Sequence, residues 1–145
     1  MTTLRERALR LLARREHSRA ELARKLRPHL VPEDDLEAVL DELSKRKQLS
    51  DERYAESRAH ALSRKFGSAR IAHELRAKGV DKGLAEGAAA AARSTEVERA
   101  RAVWTKKFRS AAATREERAR QMRFLQSRGF SFDAIRAVIR AADED

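Results

Sequence analysis

Apolar side chains recur along this chain at the spacing of amphipathic helices. Leu4, for example, is followed by apolar residues four, seven and eight positions later, which places all of them on one helix face. No stretch shows the two-residue alternation of a half-buried strand. The pattern therefore predicts an all-α protein. The clearest stripes are Leu4, Ala8, Leu11 and Leu12; Leu36, Val39, Leu40 and Leu43; Ala55, Ala59, Leu62 and Phe66; Ala100, Val103, Trp104 and Phe108; and Ile135, Val138 and Ile139.

Helix starts are marked by serine or threonine three residues before glutamate. This is the spacing of a capping box, in which each side chain bonds to the other residue's backbone amide. Pro32 precedes an acidic stretch and suits the first position of a helix. The capping residues are Thr3, Ser18, Thr95 and Thr114, with Ser50 and Ser131 as further N-caps. Together these marks predict nine helices, over residues 3–15, 18–28, 33–47, 51–65, 68–78, 81–93, 95–110, 114–128 and 131–142.

A short segment near the end of three of these helices repeats. It reads LRAKGV at residues 75–80, LQSRGF at 125–130 and LRPHLV at 26–31, so the leucines lie 49 and 50 residues apart. A period of this size indicates repeated supersecondary units. We predict three tandem three-helix repeats that pack end to end into one elongated, curved array. Their predicted bounds are 1–50, 51–94 and 95–145.

Glycine gives two copies of the segment a physical meaning. With Gly79 in the left-handed conformation just past a helix, Leu75 and Val80 make the hydrophobic contact of a Schellman cap, and Gly129 takes the same place in the third copy. The first copy lacks glycine and contains Pro28, which disfavours helix in the preceding turn. We therefore expect the helix there to end early or to kink, with a differently built turn.

The composition fits a helical protein with a polar surface. Charged residues make up 39% of the 145 residues, aromatic residues 5%, and there is no cysteine. A chain of this length can bury a core as one continuous domain. No apolar run reaches membrane-spanning length, and residues 1–15 carry too many charges for a signal peptide. Since the lack of cysteine also suits a reducing compartment, we expect a cytoplasmic protein, and we expect a monomer.

The net charge of +10 is distributed in register with the predicted repeats. The first two helices of each repeat are basic and the third is acidic, which predicts basic faces that meet a polyanion or an acidic groove. Lys and Arg outnumber Asp and Glu by nine to three in residues 1–30, seven to four in 51–80 and ten to two in 99–128; the counts are three against six in 31–50, and two against four in both 81–98 and 129–145.

Basic residues of the second and third repeats are candidates for partner contacts. The planar guanidinium group suits carboxylates and phosphates alike, so charge alone does not identify the partner. Trp104 could offer a stacking platform for a base, but Ala100 and Phe108 on the same helix face favour a core position. The candidate residues are Arg58, Arg64, Lys65, Arg70, Arg76, Lys78, Arg101, Lys106, Lys107, Arg109, Arg120 and Arg123.

The sequence offers no pattern of catalytic or metal-binding residues. The histidines at 17, 29, 60 and 73 lack metal-ligand spacing, and the isolated glycines form no phosphate-binding loop. Acidic pairs, such as Asp34 with Asp35 and Glu116 with Glu117, lie in the first turns of predicted helices, where the helix dipole explains them. We predict a binding protein that is not an enzyme and has no catalytic, cofactor or metal site.

Two blocks of the chain resemble the RecX family of regulatory proteins. The central block matches in Asp51, an aromatic-alanine pair at 54–55, the stretch RKFG at 64–67 and the segment RIAHELRAKGV at 70–80. The segment RQMRFLQSRGFSFDAIRAVI at 120–139 is similar to the family's last block, which reads RFLxxRGFSxxxI. The resemblance covers nearly the whole chain and itself implies three tandem three-helix repeats.

The resemblance implies a negative regulator of RecA recombinase. Such a protein would bind in the groove of the filament that RecA forms on single-stranded DNA. There it would inhibit ATPase, strand-exchange and co-protease activities in DNA repair, homologous recombination and the SOS response. The residues alone leave an alternative open, a free-standing DNA-binding protein of helix-turn-helix type, although its recognition helices would be the acidic ones. Single- or double-stranded DNA is therefore a further candidate partner, and no cofactor is implied.

Overall fold

The structure, a computed structural model, describes residues 2–144. Their regular structure is helical, and no strand occurs among them, which confirms the all-α prediction. Short 3₁₀ turns at Arg27–His29 and Arg93–Thr95 follow α2 and precede α7. No helix of this part of the chain is long and apolar enough to cross a membrane. The helices are α1 Leu4–Arg14, α2 Arg19–Leu26, α3 Leu36–Lys45, α4 Asp51–Leu62, α5 Ser68–Ala77, α6 Lys82–Ala90, α7 Glu96–Phe108, α8 Arg115–Ser127 and α9 Phe132–Glu144.

The apolar side chains form three separate cores, each within one set of three consecutive helices. We call α1–α3 repeat 1, α4–α6 repeat 2 and α7–α9 repeat 3. Leu22 and Leu40 are centred in the first core, Ile71 and Leu75 in the second, and Leu125 in the third, all almost fully buried. The exact residue bounds of the repeats, 1–50, 51–94 and 95–145, remain a prediction.

The repeats follow one another in a line. Hydrogen bonds link repeat 1 to repeat 2 and repeat 2 to repeat 3, and none of those among residues 2–144 links repeat 1 to repeat 3. The accessible surface is 9566 Å², whereas a compact protein of 16.5 kDa would expose about 7,500 Å². The excess surface shows that the array is elongated.

The Schellman caps predicted from the repeated segment are present. Gly79 and Gly129 both have a φ of 84°. In repeat 2, the Val80 amide donates to the Leu75 carbonyl at 3.1 Å and the Gly79 amide donates to the Arg76 carbonyl at 2.9 Å. The corresponding bonds form at Gly129. Both second helices therefore end at a left-handed glycine, as the sequence predicts.

Most predicted N-caps are confirmed, because their hydroxyl groups accept a backbone N–H three residues further on. Thr95 is an exception. It lies in a 3₁₀ turn with ψ of 11°, so its hydroxyl bonds to the Ala92 carbonyl at 3.4 Å and accepts from Arg99 Nε at 3.0 Å. The chain enters α7 without the extended residue that a capping box needs. The confirmed caps are Thr3, Ser18, Ser50, Thr114 and Ser131.

The connection from α2 to α3 differs in part from the prediction. Helix α2 stops two residues before Pro28, which confirms the expected early end. The placement of Pro32 at the first position of a helix is wrong. The Asp34 carboxylate accepts the Val31 amide at 3.0 Å and closes a turn around Pro32. Asp35 then caps α3 by accepting the Ala38 amide, so the helix begins later than predicted.

Candidate partner-binding grooves at the repeat junctions

The second helices of the three repeats meet end to end. At the first junction, between repeats 1 and 2, the Ser18 hydroxyl at the start of α2 donates to the Lys78 carbonyl at the end of α5 at 2.6 Å. At the second junction, between repeats 2 and 3, the Gly67 amide at the start of α5 donates to the Arg128 carbonyl at the end of α8 at 2.8 Å. The amide-rich start of one helix thus meets the carbonyl-rich end of the next, an arrangement that the helix dipoles favour.

A carboxylate closes each junction from the side. At the first junction, Asp51, the first residue of α4, accepts the Arg19 amide at 2.7 Å. At the second, buried Glu96, the first residue of α7, accepts the amides of Ser68 at 2.7 Å and Ser131 at 3.2 Å. Burial raises the pKa of Glu96, but these hydrogen bonds outweigh it and leave the pKa below its ordinary value. Each carboxylate caps a helix of the preceding repeat.

Arg99 completes the second junction. Its guanidinium group donates to the carbonyls of Ser63 at 2.9 Å, Phe66 at 2.6 Å and Ala92 at 2.6 Å. The first two carbonyls belong to the turn that follows α4, so one side chain of repeat 3 satisfies backbone acceptors at the end of repeat 2's first helix. Burial lowers the pKa of Arg99, and nearby Glu96 opposes this shift. Arg99 is a structural residue and is not available to a partner.

A groove at the second junction gathers unpaired cations. It encloses about 430 Å³ between the end of α4, one face of α7 and the end of α8, and we call it the second-junction groove. Its floor is Ala102, Val103 and Phe124. None of its cations forms an ion pair with a carboxylate of residues 2–144. The cations are Arg64, Lys65, Lys106, Lys107 and Arg128.

Aromatic rings hold part of this cation set in place. The Arg128 guanidinium lies 4.9 Å from the centre of the Phe124 ring, and Lys107 Nζ lies 5.6 Å from the same ring. Arg128 also approaches Phe66 at 5.7 Å, and Arg70 covers that ring at 4.7 Å. Such contacts fix a cation without neutralising it. The groove therefore keeps its full positive charge.

A smaller groove of about 270 Å³ lies at the first junction, and we call it the first-junction groove. Its cations are Arg15, Arg58 and Lys78, but two carboxylates line it as well. Glu21 receives both terminal nitrogens of Arg15, at 2.5 and 3.0 Å, and Glu16 pairs with a nitrogen of Arg53 just outside. The hydrogen bond from Arg15 lowers the pKa of buried Glu21 to about 2, although burial opposes this shift. This groove is largely neutralised from within.

The first junction also holds a buried histidine. His17 accepts a hydrogen bond from Lys25 Nζ at Nε2, at 3.0 Å, so its Nδ1–H donates to the Arg15 carbonyl at 3.1 Å. Burial lowers the pKa of His17, and the charges of Arg15 and Lys25 act in the same direction. The sequence offered no sign of this arrangement, because the ring and its partners are polar residues at a helix boundary.

The structure brings together some predicted contact residues and separates others. Arg64, Lys65, Lys106 and Lys107 line the second-junction groove, and Arg70 lies beside it. Arg70 also pairs with Glu74 and donates to the Ser127 carbonyl at 3.3 Å, so part of its role is structural. Arg58 and Lys78 line the first-junction groove. Arg76, Arg101, Arg109, Arg120 and Arg123 are exposed and line neither groove.

Sequence reasoning missed two features of these grooves. Arg128 is not among the predicted contact residues, yet it lines the second-junction groove. Trp104 is in the core, as predicted, and its indole N–H donates to buried Gln121 at 2.9 Å. The neutralising role of Glu16 and Glu21 was also missed, because it depends on side-chain pairs in the folded structure, Glu21 with Arg15 and Glu16 with Arg53 of the next repeat.

Fold and grooves together define a class, an elongated all-helical repeat protein whose charged grooves are built where repeats meet. Family models describe these repeats as the first, second and third three-helix domains of RecX, and they match residues 5–43, 50–88 and 94–139. The chain therefore belongs to the RecX family, a family of regulatory proteins.

Similar proteins match nearly the full length of the chain. The Regulatory protein RecX of Leptothrix cholodnii is 50% identical over 143 residues, which cover 99% of this chain and 91% of that protein. The Regulatory protein RecX of Herminiimonas arsenicoxydans is 46% identical over 143 residues, covering 99% and 95%. A crystal structure of RecX from Lactobacillus salivarius has a TM-score of 0.84 at 24% identity, covering 98% of this chain and 96% of that one, and supports the fold.

Proposed function

We propose that this protein is a negative regulator of RecA recombinase. It binds in the groove of the RecA filament on single-stranded DNA and inhibits the ATPase, strand-exchange and co-protease activities of that filament. The observation that carries the proposal is the set of five unpaired cations in the second-junction groove of a RecX-family chain. Five like charges in one groove repel each other, so an anionic partner that enters the groove removes an unfavourable interaction.

The linear arrangement of repeats suits a filament partner. An elongated protein can touch neighbouring filament subunits at once, and linked contacts bind more tightly than separate ones. Inhibition then needs no chemistry from this chain. The filament has a state that can rearrange and a state that cannot, and inhibition follows if the protein has the higher affinity for the second. A ligand shifts such an equilibrium by the difference between its affinities for the two states. Location in the cytoplasm is part of this proposal.

Within this proposal the predicted contact residues have different weights. Lys65 and Lys107 reach the partner directly, since both are exposed at the second-junction groove and neither pairs with a described carboxylate. Arg70 contributes charge but also holds repeat 2 to repeat 3. Charge reversal at Arg70 would therefore confuse loss of binding with loss of structure. The remaining exposed arginines add to the general attraction of a polyanion.

We do not adopt the helix-turn-helix alternative. In that mode the third helix of a repeat enters the major groove of DNA and needs groups that approach phosphates. Helix α6 carries Lys82 and Glu86 as its only charged residues, α3 carries three acids and one lysine, and α9 carries three acids and two arginines. None of the three helices has a net positive charge. An experiment that compares binding to bare DNA with binding to the RecA filament separates the two functions.

The proposal is tested by the rate of ATP hydrolysis by RecA on single-stranded DNA. We expect substoichiometric amounts of this protein to lower the rate, because one bound molecule contacts several subunits. We also expect binding to the filament to be tighter than binding to bare DNA or to free RecA. An unchanged hydrolysis rate at stoichiometric amounts, with the protein folded, would overturn the proposal.

A further inference from the structure

We propose that the second-junction groove is a site for the phosphodiester backbone of a single-stranded nucleic acid. We propose further that Glu16 and Glu21 close the equivalent groove at the first junction to the same ligand. The inference rests on the groove that the proposed function assigns to partner binding, but it concerns which chemical class the groove takes and does not need RecA.

The two grooves are built from equivalent positions of successive repeats. Glu16 and Lys65 each lie two residues before the N-cap of a second helix, Ser18 or Gly67. Arg15 and Arg64 precede them by one residue. Both pairs line their groove.

The opposite walls are equivalent as well. Lys78 and Arg128 each come directly before the left-handed glycine that ends a second helix, and each lines its groove. Ala61 of α4 and Lys106 of α7 stand ten residues after the junction carboxylates, Asp51 and Glu96. The grooves are thus two versions of one site, and their contents can be compared position by position.

Charge is what distinguishes the two versions. The first-junction groove contains three cations and two carboxylates, and the second-junction groove contains five cations and no carboxylate. At one equivalent position the charge is reversed, from Glu16 to Lys65. At another, Glu21 of α2 is replaced by Arg70 of α5, since both are the third residue of their helix.

Glu21 already occupies the place of an anionic ligand in the first-junction groove. Arg15 binds its carboxylate with two parallel hydrogen bonds, the geometry with which arginine also binds phosphate. In the second-junction groove the equivalent Arg64 has no such partner among the described residues. An external phosphate can therefore take the position that Glu21 takes internally.

The lining of the second-junction groove favours a phosphodiester over an acidic peptide. Its polar side chains are all donors, and the rest of the lining is apolar. A peptide brings backbone N–H groups that need acceptors, and this lining offers them none from its side chains. A phosphodiester backbone presents phosphate oxygens, which accept hydrogen bonds from the cations, and sugar edges, which pack against the apolar floor.

The same geometry predicts that base identity is not read. Stacking of bases on aromatic rings is the usual way to hold single strands. Here Arg128 and Lys107 lie against Phe124, and Arg70 and Arg128 lie against Phe66. The ring faces are occupied by the protein's own cations. The protein therefore contacts the nucleic-acid backbone, and its affinity does not depend on the nucleotide sequence.

The test is a charge exchange between the grooves, measured by fluorescence anisotropy with a labelled oligothymidylate at low salt and without RecA. Lys65→Glu should weaken binding roughly tenfold and make it less dependent on salt, because phosphate contacts are lost. Glu16→Lys should strengthen binding several-fold, because Glu21 is then the one carboxylate among four cations in the lining of the first-junction groove. The double variant Glu16→Lys with Lys65→Glu has the net charge of the parent and should recover part of the parent's affinity, through the other groove, since Glu21 still holds Arg15.

Matched variants separate the grooves from net charge. Lys82→Glu and Glu33→Lys make the same charge changes at exposed positions outside both grooves, and each should change affinity less than twofold. Equal effects at 65 and 82, or at 16 and 33, would overturn the proposal. A competition experiment gives a second test, with polyglutamate and oligoadenylate of equal charge as competitors. Equal displacement of the labelled oligonucleotide by the two would also overturn the proposal.

Failure of this inference can be told apart from failure of the proposed function. If Lys65→Glu leaves oligonucleotide binding intact but abolishes inhibition of RecA, the groove meets the protein part of the filament. The phosphodiester assignment is then wrong and the regulatory proposal stands. If the variants change oligonucleotide binding as predicted but no RecA inhibition is found, the phosphodiester assignment stands and the regulatory proposal is wrong.

Discussion

At the residue scale, two glycines fix how closely the repeats approach each other. Gly79 and Gly129 need a left-handed backbone, and both also lie against the preceding repeat. A β-carbon at Gly79 would collide with the Ala20 side chain, and one at Gly129 would collide with backbone and side-chain atoms of Arg70. The same residues therefore end a helix and make room for a junction.

Replacement of these glycines by alanine should be strongly destabilising. We expect Gly79→Ala and Gly129→Ala each to lower the free energy of unfolding by about 2 kcal/mol or more, since the left-handed cost adds to a steric clash. Gly87→Ala is the control, because a β-carbon there meets no atom within 4 Å and should raise stability by about 0.5–1 kcal/mol. Urea unfolding measures all three, and a similar response at 79 and 87 would contradict the account.

A second residue-scale prediction concerns pH. The pKa of His17 is lowered from 6.5, so below this pH the unfolded chain takes up a proton before the folded one, and stability falls. The pKa of Glu21 is lowered from 4.5 to about 2, so its contribution is present above pH 4.5 and is lost as pH falls toward 2. Both groups therefore make the protein less stable in acid.

Urea unfolding at neutral pH and at about pH 5.5 isolates the histidine part of this prediction. His17→Gln should reduce the difference in stability between the two conditions, because the titrating group is gone. His29→Gln, at an exposed position, should leave the difference unchanged. An equal pH dependence in the parent and both variants would show that His17 is not the group responsible.

At the element scale, the junctions depend on carboxylates that cap helices of the neighbouring repeat. The N-cap residue of helix α5 is Gly67, which has no side chain to accept a backbone N–H, and Glu96 of α7 supplies the missing acceptor. Helix α2 has its own cap in Ser18, and Asp51 adds a second acceptor at the Arg19 amide. The second junction therefore relies on its carboxylate more than the first.

Glu96→Gln should loosen the second junction. The amide group keeps one acceptor oxygen but turns its NH₂ toward a backbone N–H, so we expect a loss of about 2 kcal/mol in the free energy of unfolding. Hydrogen exchange should accelerate at the backbone amides of Ser68 and Ser131, because both donate hydrogen bonds to the Glu96 carboxylate. Glu98→Gln, exposed in the same helix turn, should change neither quantity appreciably. Unchanged exchange at both serines would contradict the role of Glu96.

The sequence predicts those parts of the fold that local interactions decide. The Schellman glycines and five N-caps could be located because the two groups of each capping hydrogen bond are three to five residues apart. Thr95 misled the prediction, since its hydroxyl bonds backward into a 3₁₀ turn and to Arg99. Glu96 could not be identified as a junction residue because its partner amides lie 28 and 35 residues away.

At the scale of the whole molecule, repetition with divergence explains why one groove is suited to a partner. The repeat period and the resemblance to RecX predict the array, and the family and structural comparisons confirm it. Charge counts along the chain predict basic faces but not which cations remain unpaired. That depends on where Glu16, Glu21 and Arg128 lie in the folded structure, since Glu21 pairs with Arg15 and Glu16 pairs with Arg53 of the next repeat.

The central claim is that the second-junction groove carries regulation of RecA. The most direct measurement compares inhibition of RecA ATPase on single-stranded DNA by the parent, by Lys65→Glu with Lys107→Glu, and by Lys45→Glu with Lys82→Glu. Both double variants have the same net charge, and all four positions are exposed, so both should keep the parent's helical content. We predict that the groove variant loses inhibition and that the control variant retains it. Equal inhibition by both variants would contradict the account.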